Sequence, residues 1–176
     1  MNSAELSCIL ERALCETDCN FLGVFAADRI PQNITAFPCC LVANTDPANR
    51  PGEHWVAYYC VSPSNVEFFY SYGLSWKVHT QIRFPIVPTK FNRVCFQSPL
   101  SVACGHYCVY FLCNRAFGRT MSNIVLLFKR ARDKINNPDK LVRYFVQRIV
   151  TRLHVVRRCL RRCRGMQCCR RIRRLK

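Results

Sequence analysis

Gln97-Ser-Pro-Leu-Ser-Val-Ala-Cys104-Gly-His-Tyr-Cys108 runs without a break into the apolar segment Val109-Tyr-Phe-Leu112. The Ser-Pro step marks a loop, and the apolar run after it predicts a helix opening at about Cys104. A cysteine between a loop and a helix sits where unpaired backbone N–H groups gather. The positive end of a helix favours a thiolate, which is the nucleophilic form of cysteine. Gln97, seven positions upstream, places an amide donor within reach of a developing oxyanion. The remaining requirement is a base, and His54 fits it. It opens the β-rich run His54-Trp-Val-Ala-Tyr-Tyr-Cys60, directly after the loop Asp46-Pro-Ala-Asn-Arg-Pro-Gly52. The parts of a cysteine hydrolase are therefore present, with the histidine ahead of the cysteine. The plain alternatives stand beside this reading: Cys104 as one more buried cysteine, Gln97 as turn chemistry before Ser-Pro, His54 as a loop histidine.

Working outward, Ser3 reads as the cap of a helix from Ala4 to about Leu14. Phe21-Leu-Gly-Val-Phe-Ala-Ala-Asp28-Arg-Ile-Pro31 reads as a short apolar element ending in a turn, and Cys39–Ala43 as a buried strand. Val66-Glu-Phe-Phe-Tyr70 follows the turn Ser62-Pro-Ser-Asn65 and makes an antiparallel hairpin with the run after His54. Residues 84–96 read as extended. Beyond Cys104 the chain is helical: to about Ala116 with Gly118 at the end, from about Ser122 to Lys134, and from Asn137-Pro-Asp139 onward. Val142, Phe145, Val146, Ile149 and Leu153 form a core stripe at helical spacing.

The chain has 176 residues, enough for one domain with a real core. Fourteen cysteines lie mostly in core-like runs and are read as reduced, buried filler. No signal peptide and no apolar run of membrane-spanning length is visible. The net charge of +17 is uneven: residues 151–176 hold ten Arg, one Lys and no acid, which leaves +6 for residues 1–150. Two parts follow, a domain over 1–150 and an Arg/Cys-rich basic tail over 151–176.

The ordered set Phe21–Pro31, Glu53-His54-Trp55, Phe68-Phe-Tyr-Ser-Tyr-Gly-Leu74, Gln97 and Cys104-Gly105 resembles the adenovirus-type cysteine endopeptidases, and more closely their relatives in Maverick/Polinton-type viruses and transposons. The resemblance covers roughly residues 1–150. It implies the α+β fold of the clan that also holds the proteases of SUMO-like modifiers, with a central nucleophile helix packed on a mixed, mainly antiparallel sheet. It implies Cys104 as nucleophile, His54 as general base and Gln97 as oxyanion donor. The family places an acid where Tyr70 stands, so Tyr70 is the expected third member, able to orient the imidazole only through a weaker hydrogen bond. Glu67 is a poor substitute, because strand alternation sends positions 67 and 70 to opposite faces.

The implied activity is endoproteolysis of viral or mobile-element capsid and core precursors, without a metal or organic cofactor, in the host nucleus or cytoplasm or in the virion. Two rivals remain: a deconjugating protease for ubiquitin-like modifiers, and a catalytically degenerate nucleic-acid-binding or assembly protein. His79 and His154 have no supporting context, and His106 points away from the Cys104 side chain. The pairs Arg157-Arg158, Arg161-Arg162, Arg170-Arg171 and Arg173-Arg174 suit a polyanion, so nucleic acid is the expected partner of the tail. The tail cysteines Cys159, Cys163, Cys168 and Cys169 are too irregularly spaced for zinc. The family's activation by DNA and by a short basic peptide bearing a cysteine implies similar activators, with Cys95 a candidate for pairing with such a peptide.

Overall fold

The computed structural model describes residues 1–135 and 137–162, with residue 135 and the last ten as backbone only. The first helix, α1 (Ser3–Leu14), is capped by Asn2 and not by the expected Ser3. The Asn2 side chain accepts from the Glu5 amide at 2.9 Å, and the Asn2 amide donates to the Glu5 carboxylate at 3.0 Å. This capping box satisfies two otherwise orphaned donors. Leu6, Leu10 and Leu14 then recur on one buried face.

Five strands follow: β1 (Asn20–Phe25), β2 (Cys39–Asn44), β3 (Trp55–Ser62), β4 (Asn65–Phe69) and the two-residue β5 (Lys90–Phe91). They lie side by side in chain order. The expected β3–β4 hairpin forms, and β2 pairs antiparallel with β3. Both edges are parallel, β1 on β2 and β4 on β5. The sheet is thus mixed, as expected, with its two central pairings antiparallel and its edges parallel. The reason lies in the connections: residues 26–38 and 70–89 are long enough to return the chain to the same end before pairing, which a tight turn cannot do.

Each central strand sends alternate residues into two separate cores. Cys40, Val42, Ala57, Tyr59 and Phe69 face the helices. Cys39, Leu41, Val56, Tyr58, Val66, Phe68 and Tyr70 face a layer of irregular chain that carries Phe37, Tyr72, Trp76 and Phe84. The helical layer is α1 with α2 (Cys104–Ala116), α3 (Met121–Ile135) and α4 (Pro138–Arg162). The middle helix, α2, is buried from Tyr107 to Asn114 and lies against β3. The Tyr107 hydroxyl ties the start of α2 to its neighbours, donating to Asp139 Oδ1 on α4 at 2.8 Å and lying 3.2 Å from the Phe96 carbonyl. The architecture is α+β, as expected. Val142 and Val146 of the expected stripe are buried, with Phe145 and Ile149 packed beside them; the Leu153 side chain lies outside the described residues. Helix α4 runs unbroken through position 151, where the composition changes, as far as Arg162. No described helix is long and apolar enough to cross a membrane.

Candidate active site

His54 stands one residue before β3, and the loop ahead of it is tightly closed. The Asn44 side-chain oxygen accepts from the amides of Asp46 and Glu53, at 2.8 and 3.2 Å. The Thr45 amide donates to the His54 carbonyl at 2.9 Å, which continues the β2–β3 ladder by one step. Gly52 is required here: its φ is +89°, and a Cβ would lie 2.7 Å from the Asn44 side-chain nitrogen, Nδ2.

The second wall of the site is the turn after β4. Asn92 acts as a side-chain strand, accepting from the Tyr70 amide at 2.8 Å and donating to the Tyr70 carbonyl at 2.7 Å. The Gly73 amide then closes the turn on the same carbonyl at 2.7 Å. Gly73 has φ +73°, and a side chain there would meet the backbone of Val94 and Cys95 at 2.6–2.8 Å. Within this turn, the Ser71 carbonyl accepts from the amides of Phe96 and Gln97. Two segments far apart in sequence are thereby locked together around one serine.

That serine, and not Tyr70, is the hydrogen-bond partner of the histidine. His54 Nε2 lies 3.1 Å from Ser71 Oγ. Tyr70 was the expected third member; its ring packs edge-on against the imidazole, centroids 4.7 Å apart, and no described hydrogen bond joins the two. The physical reason is that pairing with β3 ends at Phe69, after which the Asn92 clip and the Gly73 turn swing position 71 toward the imidazole. Glu67 is committed elsewhere, as strand alternation predicts. Its carboxylate takes the Arg115 guanidinium at 2.6 Å on the far part of α2, and that guanidinium also covers the Tyr59 ring.

Gln97 is buried and engaged at both ends. Its oxygen accepts from Ser71 Oγ at 2.7 Å, and its nitrogen donates to the Ser101 carbonyl at 2.7 Å. Ser101 Oγ in turn accepts from the Ala103 amide at 3.1 Å. Cys104, half-buried, comes next and opens α2. Ala103 provides no side-chain cap, and the first turn of α2 carries no acid. A hydrogen-bonded chain therefore links His54 through Ser71, Gln97 and Ser101 to the step before the cysteine. Met1 marks the same closeness from another side: the Trp55 indole donates to its carbonyl at 3.1 Å, and its Cβ lies 3.3 Å from where a Gly105 side chain would begin.

The surroundings are aromatic. Tyr72 lies 4.8 Å from the His54 ring. Its phenol is pushed above the ordinary value by burial and then by neighbouring Cys104. The Tyr70 phenol is pushed up to about 12, by burial first and then by Tyr72, Glu53 and Cys104. His54 is pushed down to about 4, chiefly by burial and then by His79. His79, read in the sequence as lacking context, also packs edge-on with the Tyr70 ring, centroids 5.0 Å apart. Its Nε2 is buried with no hydrogen-bond partner among the described residues.

His106 lines a groove of about 660 Å³ between α1 and α4, with Ile9, Val146 and Val150. Cys108 and Cys113 are core residues. Cys95 is exposed, with its thiol 3.4 Å from the Gln97 carbonyl. Among the described residues no group of three or more His, Cys, Asp or Glu is placed to hold a metal. The side chains of His154, Cys159 and the pairs Arg157-Arg158 and Arg161-Arg162 lie outside the described residues, as do Cys163, Cys168, Cys169, Arg170-Arg171 and Arg173-Arg174 altogether. The sequence reading missed Ser71 and Asn92; the Tyr-Ser-Tyr-Gly run, with its turn-forming glycine, was the signal that position 71 leaves the strand.

No family profile matches the chain, and no curated protein matches it. Among solved structures it is similar to the central domain of an uncharacterized protein from Legionella pneumophila. That likeness has 13% identity and a TM-score of 0.44, and covers 84% of this chain and 94% of the other.

Proposed function

We propose that the chain is a cysteine-type endopeptidase with Cys104 as nucleophile and His54 as general base. The observation that carries this reading is the buried connection His54–Ser71–Gln97–Ser101, which ends three residues before a cysteine at an uncapped helix start. His54 is neutral at pH 5 and above, so it is ready to take a proton. It accepts the Cys104 proton as sulfur attacks the substrate carbonyl. The oxyanion finds donors in the first backbone N–H groups of α2 and in the second hydrogen of the Gln97 amide. The imidazolium returns its proton to the leaving amine. Water then hydrolyses the thioester, with His54 again as base.

The motif resemblance to adenovirus-type and Maverick/Polinton-type endopeptidases supplies the clan and the substrate class, namely capsid or core precursor proteins. Nucleic acid is the proposed partner of the basic end of the chain. Lys140, Tyr144, Arg148 and Arg152 recur at four-residue intervals on the exposed face of α4, with the Arg148 guanidinium 5.8 Å from the Tyr144 ring. Such a stripe meets phosphates and releases counterions. A neutral serine, in place of an acid, as the hydrogen-bond partner of His54 favours one competing reading, a degenerate binding protein.

Limited iodoacetamide labelling at mildly acidic pH, mapped by mass, separates the two. An activated Cys104 labels at least about tenfold faster than the exposed Cys15 and Cys95. Labelling no faster than theirs rejects the enzyme. Cys104→Ala should lower peptide hydrolysis by roughly a thousandfold or more. Truncation of residues 152–176 should weaken DNA affinity and flatten its salt dependence. Unchanged slopes remove the tail from that role.

A further inference from the structure

We propose that Ser71 is a positioning residue that fixes His54 in the Nε2–H tautomer, with the polarity set by the Gln97 amide. The argument follows the donors. The Ser101 carbonyl is only an acceptor, so the group facing it at 2.7 Å is the Gln97 NH2. That orientation turns the Gln97 oxygen to Ser71, 2.7 Å away. A serine hydroxyl has a single hydrogen, and it is used here, because the alternative sets two oxygen lone pairs against each other in a buried site. Ser71 Oγ therefore has only an acceptor left for His54 Nε2 at 3.1 Å. The imidazole must donate, so the proton sits on Nε2 and the lone pair on Nδ1.

This inference rests on the endopeptidase reading only for its use: it names Nδ1 as the atom that receives the Cys104 proton. Protonation at Nδ1 leaves the Nε2–H bond to Ser71 intact, so the relay serves the neutral ring and the imidazolium alike. A carboxylate would also hold the tautomer, and would stabilise the charged ring as well. The serine relay supplies direction without charge. Gln97 thus acts twice, on the oxyanion through its nitrogen and on the base through its oxygen. All three side chains are almost fully buried, which keeps water from competing for these bonds.

The test needs no substrate. Long-range proton–nitrogen correlation on histidine-labelled full-length protein at neutral pH reads the tautomer of each ring, and His54→Gln assigns the signal. The expected pattern is a pyrrole-like Nε2 and a pyridine-like Nδ1. The preference should be at least about tenfold, the ratio one buried hydrogen bond supports. A reversed or evenly mixed pattern overturns the proposal. Gln97→Leu should erase the preference by freeing the Ser71 hydrogen, while Gln97→Glu, which keeps the acceptor, should retain it. Full retention in Gln97→Leu would show that the amide does not set the polarity. An inert Cys104 together with the expected tautomer would refute the enzyme and leave the relay standing.

Discussion

Glu67 and Ser71 sit four residues apart around the end of β4, both buried, and they divide two tasks that a sequence reading assigns to one acid. Glu67 neutralises Arg115 on the far part of α2, where a buried cation demands a carboxylate. Ser71 meets a histidine that burial keeps neutral, where a hydroxyl suffices. The difference teaches that charge is placed where a permanent charge must be balanced, while direction alone governs the site.

The contrast is broken most severely at Glu67. Glu67→Ala strands Arg115 and should cost about 3–5 kcal/mol in urea denaturation, the usual result of removing one partner of a buried pair. A loss under 1 kcal/mol would mean that the pair is solvent-screened. Next comes pH. A histidine whose folded value lies below its ordinary 6.5 binds fewer protons folded than unfolded, so its stabilising contribution is lost as pH falls. Between pH 6.5 and 4, His54 should contribute a slope of up to about 1.4 kcal/mol per pH unit. His79 and His106, also lowered by burial, add in the same direction. A flat stability profile over that window would refute the neutral buried imidazole.

At Ser71, Ser71→Ala should cost about 1–3 kcal/mol by leaving Gln97 and His54 unsatisfied. Ser71→Asp should move the acid limb of kcat/KM upward by about one pH unit or more, because a carboxylate favours the imidazolium. Tyr70→Asp should not do so, and equal shifts from both would show that Tyr70 shares the orienting role. Smallest of all, Tyr70→Phe should change stability by no more than about 0.5 kcal/mol, since the phenol oxygen makes no described hydrogen bond.

The sequence disclosed what local chemistry encodes. Pro138 after Asn137, Gly118 after α2 and the Ser62–Asn65 turn each punctuate the chain within a few residues, and those elements form where expected. The placement of His54 at a loop-to-strand edge and of Cys104 at a loop-to-helix edge was legible from the turn residues ahead of each. The parallel edges were not legible, since pairing across residues 26–38 or 70–89 leaves no mark within either strand. The hydrogen-bond partner of His54 was missed by one position for a related reason. Alternation along β4 holds as far as Phe69, and its end is set by Asn92, more than twenty residues away.

Gly73 carries a consequence that reaches beyond its turn. The space a methyl group would need is filled by the peptide joining Val94 to Cys95, two residues before Gln97. An alanine there would wedge the two segments apart and lengthen the Ser71–Gln97 contact, leaving the side chains of His54 and Cys104 chemically untouched. The buried relay thus has a mute button at a carbon that makes none of its hydrogen bonds.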